Sequence, residues 1–283
     1  MKHRRWLTYE RRRMAEGMMF VSVWLIGFLA FMLYPLASSF KMSFTQSKLP
    51  NITEGPFVGL DNYKAVITDP SFGIYFTDTV VSSIVDIPII IMFSLFVAVL
   101  LNKVLLGRLF FRAVFFAPAI IAGVVMRLLY DQDVSQVAIF DQLGGGTAFL
   151  NELFGAGLID RIGVIMWRSS VEILIFLGGL QSIPRSQYEA AEVDGATVWE
   201  CFWKITLPFM SPVVLLNVIY ATIDAFTGPL NVMIIYMRDK IFYNLDFGFA
   251  LAMSWLYLAA ILVFVLIIVG VGRRFVFYAG DRT

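Results

Sequence analysis

The chain has 283 residues, 59% of them hydrophobic and 15% charged, with a formal net charge of +1. Soluble domains run about 45–50% apolar and about 25% charged, so this composition excludes an ordinary soluble protein and indicates an integral membrane protein. A single cysteine, Cys201, excludes an internal disulfide, a single histidine, His3, excludes histidine-centred catalysis and most zinc chemistry, and so small a net charge gives no argument for a nucleic-acid partner.

A basic N-terminal segment, 1–16, comes first. Six apolar stretches of spanning length follow, near 17–38, 80–101, 109–130, 163–180, 212–236 and 248–271. They predict an all-α membrane protein with one six-helix domain over 17–272 and a short tail, 273–283. No internal repeat is visible. Arg11, Arg12 and Arg13 precede the first stretch as they would a signal peptide, but its apolar run is too long and no cleavage site follows, so it reads as a retained span. With the N-terminus inside, inner segments hold 14 Lys and Arg and outer segments 7. That bias puts both termini and the 181–212 loop in the cytoplasm. The connections 39–79 and 131–162 then lie outside.

Ionisable residues interrupt the middle spans. Asp86 precedes Pro88 in the second, Arg112 and Arg127 lie toward the ends of the third, Arg168 and Glu172 lie in the fourth, and Asp224 lies in the fifth before Pro229. Charge in hydrocarbon costs several kcal/mol unless paired or wet, so spans two to five should surround something polar. Arg168 and Glu172 are four apart and meet on one helix face, as an ion pair or as ligand contacts. Arg112 and Arg127 read as snorkelling to the interfaces. Asp86 and Asp224 have no partner nearby in sequence and read as cavity-facing. Pro88, Pro118 and Pro229 are expected to interrupt their spans, which fits either simple kinks or the broken helices of a binding site.

The loop EAAEVDGATVWECFWKITLPFMSP, 189–212, reads as two short helices. Ser186 and Glu189 have capping-box spacing, Gly195 suits a C-terminal cap or a close backbone approach, and Thr197 and Glu200 repeat the box for a second helix that Pro208 ends. Ser211 then caps the fifth span, with Pro212 as its first residue. Trp199, Phe202, Trp203 and Ile205 suit an element lying on the membrane surface or a knob that fits a socket on another protein.

These residues carry a resemblance. Glu189, Ala190, Ala191, Asp194, Gly195, Ala196, Phe202, Ile205, Leu207, Pro208 and Pro212 resemble the EAA loop of ABC-importer permease subunits, in the form found in carbohydrate (maltose, MalF-type) importers. GLDNYKAVITDPSF, RAVFFAPAIIAGVVMRLLY, LGGLQSIPRSQYEAAEVDGA and DFGFALAMSW extend the likeness over most of the chain. Met237, Arg238 and Asp239 stand where a GGP-containing segment is common in the family, and the maltose protein's extra N-terminal spans and large outer domain are absent. The resemblance implies a type I ABC importer permease fold. It implies a second (MalG-like) permease subunit, a cytoplasmic ATPase dimer that binds ATP and Mg, an extracytoplasmic solute-binding protein and a sugar substrate in a bacterial or archaeal cell membrane. Glu189, Ala190, Ala191, Asp194, Gly195, Ala196, Ile205, Leu207 and Pro208 would then couple to the ATPase. Arg168, Glu172, Asp224, Thr227, Asn231 and Asp86 would line the substrate path.

No Gly-Lys pair occurs, so the chain has no phosphate-binding P-loop of its own, and hydrolysis is expected in a partner. An intramembrane enzyme lacks a recognisable constellation here. An ion-coupled secondary transporter would leave the EAA loop without a role. An ABC permease for another solute, such as a polyamine or a phosphate ester, remains the serious alternative.

Overall fold

A computed structural model of the chain describes residues 3–48, 55–102, 156–229 and 231–276. Four segments among them are long and apolar enough to cross a bilayer: Glu16–Ser43, Pro70–Asn102, Val198–Phe242 and Phe247–Gly272. They contain the predicted first, second, fifth and sixth spans. The predicted fourth lies within the helix Ala156–Ser182. The predicted third, with Arg112, Pro118 and Arg127, lies outside the described residues, as does most of the 131–162 connection.

The helices are α1 (His3–Phe28), α2 (Tyr34–Ser43), α3 (Asp61–Thr68), α4 (Pro70–Asn102), α5 (Ala156–Ser182), α6 (Arg185–Val193), α7 (Val198–Cys201), α8 (Leu207–Thr227), α9 (Val232–Phe242) and α10 (Phe247–Gly272). Two widened π turns, Leu29–Leu33 and Phe202–Thr206, join α1 to α2 and α7 to α8 without a break. Each ends two residues before a proline, Pro35 or Pro208. A proline in a helix removes one N–H and crowds the carbonyl four residues back. A wide turn just ahead of it relieves that crowding, and the amides of Tyr34 and Leu207 bond five residues back, to Leu29 and Phe202. Pro208 therefore does not end the loop helix, contrary to the sequence expectation, and the fifth span does not begin at a Ser211 cap. Ser211 bonds back to the Pro208 carbonyl and Pro212 lies inside α8. Pro88 likewise sits inside an unbroken α4, so of the described prolines proposed to interrupt a span, Pro229 alone does so.

The structure divides into two compact units, Met1–Tyr75 with Val232–Ala260 and Phe76–Asn231 with Ile261–Thr283. In the first, the end of α2 is tied to the start of α10. Thr45 pairs with Phe57 and Lys48 with Asp246, and the Ser47 carbonyl accepts from the amides of Phe247 and Gly248. A Cβ at Gly248 would collide with the Thr45 carbonyl, so glycine is required there. The Asn62 amide donates to the carbonyls of Ser43 and Thr45, both at 2.9 Å, and the Tyr63 hydroxyl meets Ser43 Oγ at 2.7 Å.

In the second unit the C-terminal half of α4 packs with α5 and α8. Ile91, Val97, Ala98, Ile173, Phe176, Leu180 and Met210 belong to one buried cluster. Gly179 lets α5 approach α8 closely, since a Cβ there would lie 2.9 Å from both Val213 methyls.

Candidate functional site

Two features stand out in the second unit: a polar seam between α5 and α8, and the helical hairpin that joins them. In the seam, Arg168 Nε donates to Asp224 Oδ2 at 2.9 Å and Nη2 to the Ala221 carbonyl at 3.4 Å. The side chains are 16% and 34% exposed. Of the two readings of Arg168 and Glu172, the ion pair does not form, and Asp224, which has no partner nearby in sequence, has one on the facing helix. The reason is burial. Glu172 is sealed in the core at 0% exposure, whereas Asp224 lies where the guanidinium keeps some access to solvent.

One turn along α5 from Arg168, Glu172 presents two carboxyl oxygens with no hydrogen-bond partner among the described residues. Asn217 on α8 is also 0% exposed. Its amide donates to the Glu172 backbone carbonyl at 3.3 Å, and its own Oδ1 is unpaired. Sequence reasoning passed over Asn217. Its signal was an amide in the middle of an otherwise apolar span.

At the other end of the seam α8 stops at Gly228 and Pro229. Pro229 has no N–H for the Ala225 carbonyl four residues back, and the Asn231 side-chain amide supplies one at 2.8 Å. Thr79 donates to Asn231 Oδ1 at 3.5 Å. Asn231 thus closes a broken helix end. Thr227 is exposed and its hydroxyl bonds back to the Ile223 carbonyl at 2.7 Å. Asp86 is half-buried on α4. Arg168, Glu172 and Asp224 therefore share the α5–α8 seam, while Thr227 and Asn231 mark its end.

The hairpin is built from local hydrogen bonds. Pro184, extended at ψ 132°, is the N-cap of α6, so the Ser186 capping box predicted from sequence does not form. The proline starts the helix two residues earlier than that serine would. At the other end the amides of Gly195 and Ala196 bond the carbonyls of Glu192 and Ala191, at 3.0 and 2.9 Å, with Gly195 at φ +75°. That is the Schellman arrangement, in which the left-handed position favours glycine. The Thr197–Glu200 capping box forms as predicted. The Thr197 backbone N–H is the main influence holding the Glu200 carboxyl below its ordinary range, helped by the Thr197 hydroxyl and Lys204. Tyr188 Oη meets Thr206 Oγ1 at 2.9 Å and fastens α6 to the π turn.

Ala191, Asp194, Gly195, Ala196, Glu200 and Ile205 line one cleft of the hairpin. Glu189 and Ala190 are exposed on α6, and Leu207 and Pro208 are half-buried where α8 begins. At the tip Val193, Val198 and Trp199 are 88%, 77% and 68% exposed. Trp199, Phe202 and Trp203 pack against one another, with Trp199 and Trp203 ring centroids 5.5 Å apart.

Comparison with known proteins bears on both features. The model of the family described as "Binding-protein-dependent transport system inner membrane component" matches residues 73–277. The chain is 30% identical to the probable ABC transporter permease protein YesP of Bacillus subtilis (strain 168), over 95% of this chain and 94% of that one. It is 35% identical to the arabinooligosaccharides transport system permease protein AraP of the same organism, over 73% of this chain and 67% of that one. Its fold is similar to a chain of a bacterial ABC transporter involved in the import of the acidic polysaccharide alginate, with a TM-score of 0.65 at 20% identity, covering 96% of this chain and 99% of that one. The chain belongs to the family of binding-protein-dependent transport inner membrane components, and is a multi-pass ABC transporter permease, a transport subunit rather than an enzyme.

Proposed function

We propose that the chain forms half of the translocation pathway of an ATP-driven importer for a sugar or oligosaccharide. The observation that carries this reading is the continuity of the structure. A hairpin fixed by a Schellman end and a capping box runs without a break through the Phe202–Thr206 π turn into α8, which carries Asp224. Exposed Val193, Val198 and Trp199 at the hairpin tip suit docking on a cytoplasmic ATPase dimer, where ATP and Mg would be bound. Glu189, Ala190, Ala191, Asp194, Gly195, Ala196, Ile205, Leu207 and Pro208 form that coupling element. The rest of the assembly is a second permease subunit and an outer solute-binding protein. Six spans with both termini in the cytoplasm complete the topology.

Within the bundle, Arg168 and Asp224 offer charged groups for bidentate hydrogen bonds to vicinal hydroxyls, with Glu172, Thr227, Asn231 and Asp86 along the same path. Sugar as substrate is supported by the likeness to AraP, a permease of an arabinooligosaccharides transport system. Closure of the ATPases would shift the hairpins, and the helices attached to them would open the path to the other side.

The test is a mild-detergent pull-down of the tagged protein from its own membrane, with ATPase activity measured, beside a Gly195→Asp variant. The expected result is a second permease and an ATPase subunit copurifying with the wild type, and loss of the ATPase from the variant. Recovery of the protein alone, or an ATPase retained by Gly195→Asp, overturns the coupling role.

A further inference from the structure

We propose that Glu172 and Asn217 form a second, occluded subsite of the sugar path, lying beyond the Arg168–Asp224 pair toward the hairpin, that binds hydroxyls from a neutral stretch of the substrate. The inference rests on the reading of α5 and α8 as walls of a sugar path.

Position comes first. Glu172 is four residues past Arg168, about 6 Å along α5 at the helical rise. Asn217 is four residues before Ala221, whose carbonyl holds the Arg168 guanidinium. The two helices therefore carry two successive polar layers. The first is part-exposed and internally paired. The second is fully buried, and its side-chain oxygens Glu172 Oε1 and Oε2 and Asn217 Oδ1 have no partner among the described residues.

Chemistry comes next. Buried polar groups in native proteins nearly always have partners, and a group left without one demands an account. Two apolar side chains would fill this crossing at less cost, since replacing both members of a badly satisfied buried pair by apolar groups is often neutral or stabilising. Asn217 also uses a donor to hold the Glu172 backbone carbonyl at 3.3 Å, which fixes the amide with its oxygen unpaired. The unpaired atoms are the Asn217 amide oxygen, which only accepts, and the two oxygens of a carboxyl, which accepts and, when it carries its proton, also donates, so the complementary ligand group is one that can do both. Sugar hydroxyls do both, whereas a sugar carboxylate offers Asn217 Oδ1 no donor.

The order of the layers gives the sequence of events. The first layer is a closed ion pair whose charges already cancel, so a neutral sugar need only exchange hydrogen bonds with it. The second layer has nothing to exchange and gains partners when the helices part.

The experiment uses the complete complex in proteoliposomes, with ATP inside and the binding protein outside. Labelled arabinotriose and maltotriose are the probes. Wild type is compared with Glu172→Gln and Asn217→Ser singly and with the Glu172→Leu/Asn217→Leu pair, and thermal unfolding of each purified complex is measured alongside. The expected result is that the leucine pair unfolds at the same temperature or higher while uptake falls at least tenfold. Glu172→Gln, which keeps the shape, should fall less. Uptake within twofold of wild type in the leucine pair overturns the subsite and leaves the sugar reading standing. Loss of assembly in all three variants shows that the layer is structural and also overturns it. No uptake of either probe by the wild type overturns the sugar reading for these neutral probes, and the inference with it.

Discussion

Asn231 shows how one side chain can stand in for a missing backbone group. Pro229 leaves the Ala225 carbonyl without its helical donor, and the Asn231 amide replaces it at 2.8 Å. Asn231→Ala should therefore cost about 1–3 kcal/mol, the usual penalty for a buried acceptor left unpaired, read as a lower unfolding temperature in detergent. Arg168 and Asp224 make a different prediction. Each alone changed to alanine should lower uptake at least tenfold, because the other charge is left in the membrane interior. A double-mutant cycle on stability should show a coupling of about 1–2 kcal/mol, less than a fully buried pair would give because both side chains keep some access to solvent. At this scale the residue types were legible in the sequence and their pairing was not. Spacing along one helix reveals neighbours at i+4, and so it suggested Arg168 with Glu172. The true partner, 56 positions away, is brought in by the crossing of α5 and α8.

The hairpin is the element whose details were most legible, because its defining bonds are local. The Thr197–Glu200 box and the Gly195 cap depend on residues no more than five apart and formed as expected. The Ser186 box failed because Pro184 already supplies an extended N-cap, and the Pro208 stop failed because a π turn accommodates the ring. Gly195→Ala should cost about 1–2 kcal/mol for the left-handed backbone. Since a Cβ there meets open space, the variant should fold and bind the ATPase more weakly, as measured by copurification. Gly179→Leu should be worse for the bundle, at about 1–3 kcal/mol, since the side chain drives into Val213 and Met210. Glu200 gives a pH dependence. Its carboxyl is held below the ordinary value of 4.5, so its contribution to the cap is complete above that value and is lost as pH falls through the lowered one. Protection of the Thr197 amide from hydrogen exchange, corrected for intrinsic rate, should fall over the same range.

For the whole molecule, composition and span length made the membrane class plain, and the GLDNY and DFG segments proved to be where α2, α3 and α10 are tied together, through Asn62, Tyr63 and Gly248. Their purpose was not readable locally, because Asn62 and Gly248 lie far apart in sequence and meet only in the fold. Cys201, the single cysteine, supplies a topology test without mutation. It lines the hairpin cleft and is half-buried. An impermeant maleimide should label it in inside-out vesicles and not in intact cells, and docking of the ATPase should slow the reaction. The unbroken run from hairpin to α8 has a mechanical meaning as well. From Leu207 to Asp224 is about 26 Å at 1.5 Å per residue, and the joint formed by the π turn lies at the hairpin end. The rod beyond it is a lever arm. A tilt of about 5° about that fulcrum swings Asp224 through about 2 Å, enough to pull apart a 2.9 Å hydrogen bond to Arg168. If the hairpin is the coupling element proposed above, a nudge there too small to disturb its own caps would be amplified into a broken ion pair between α5 and α8.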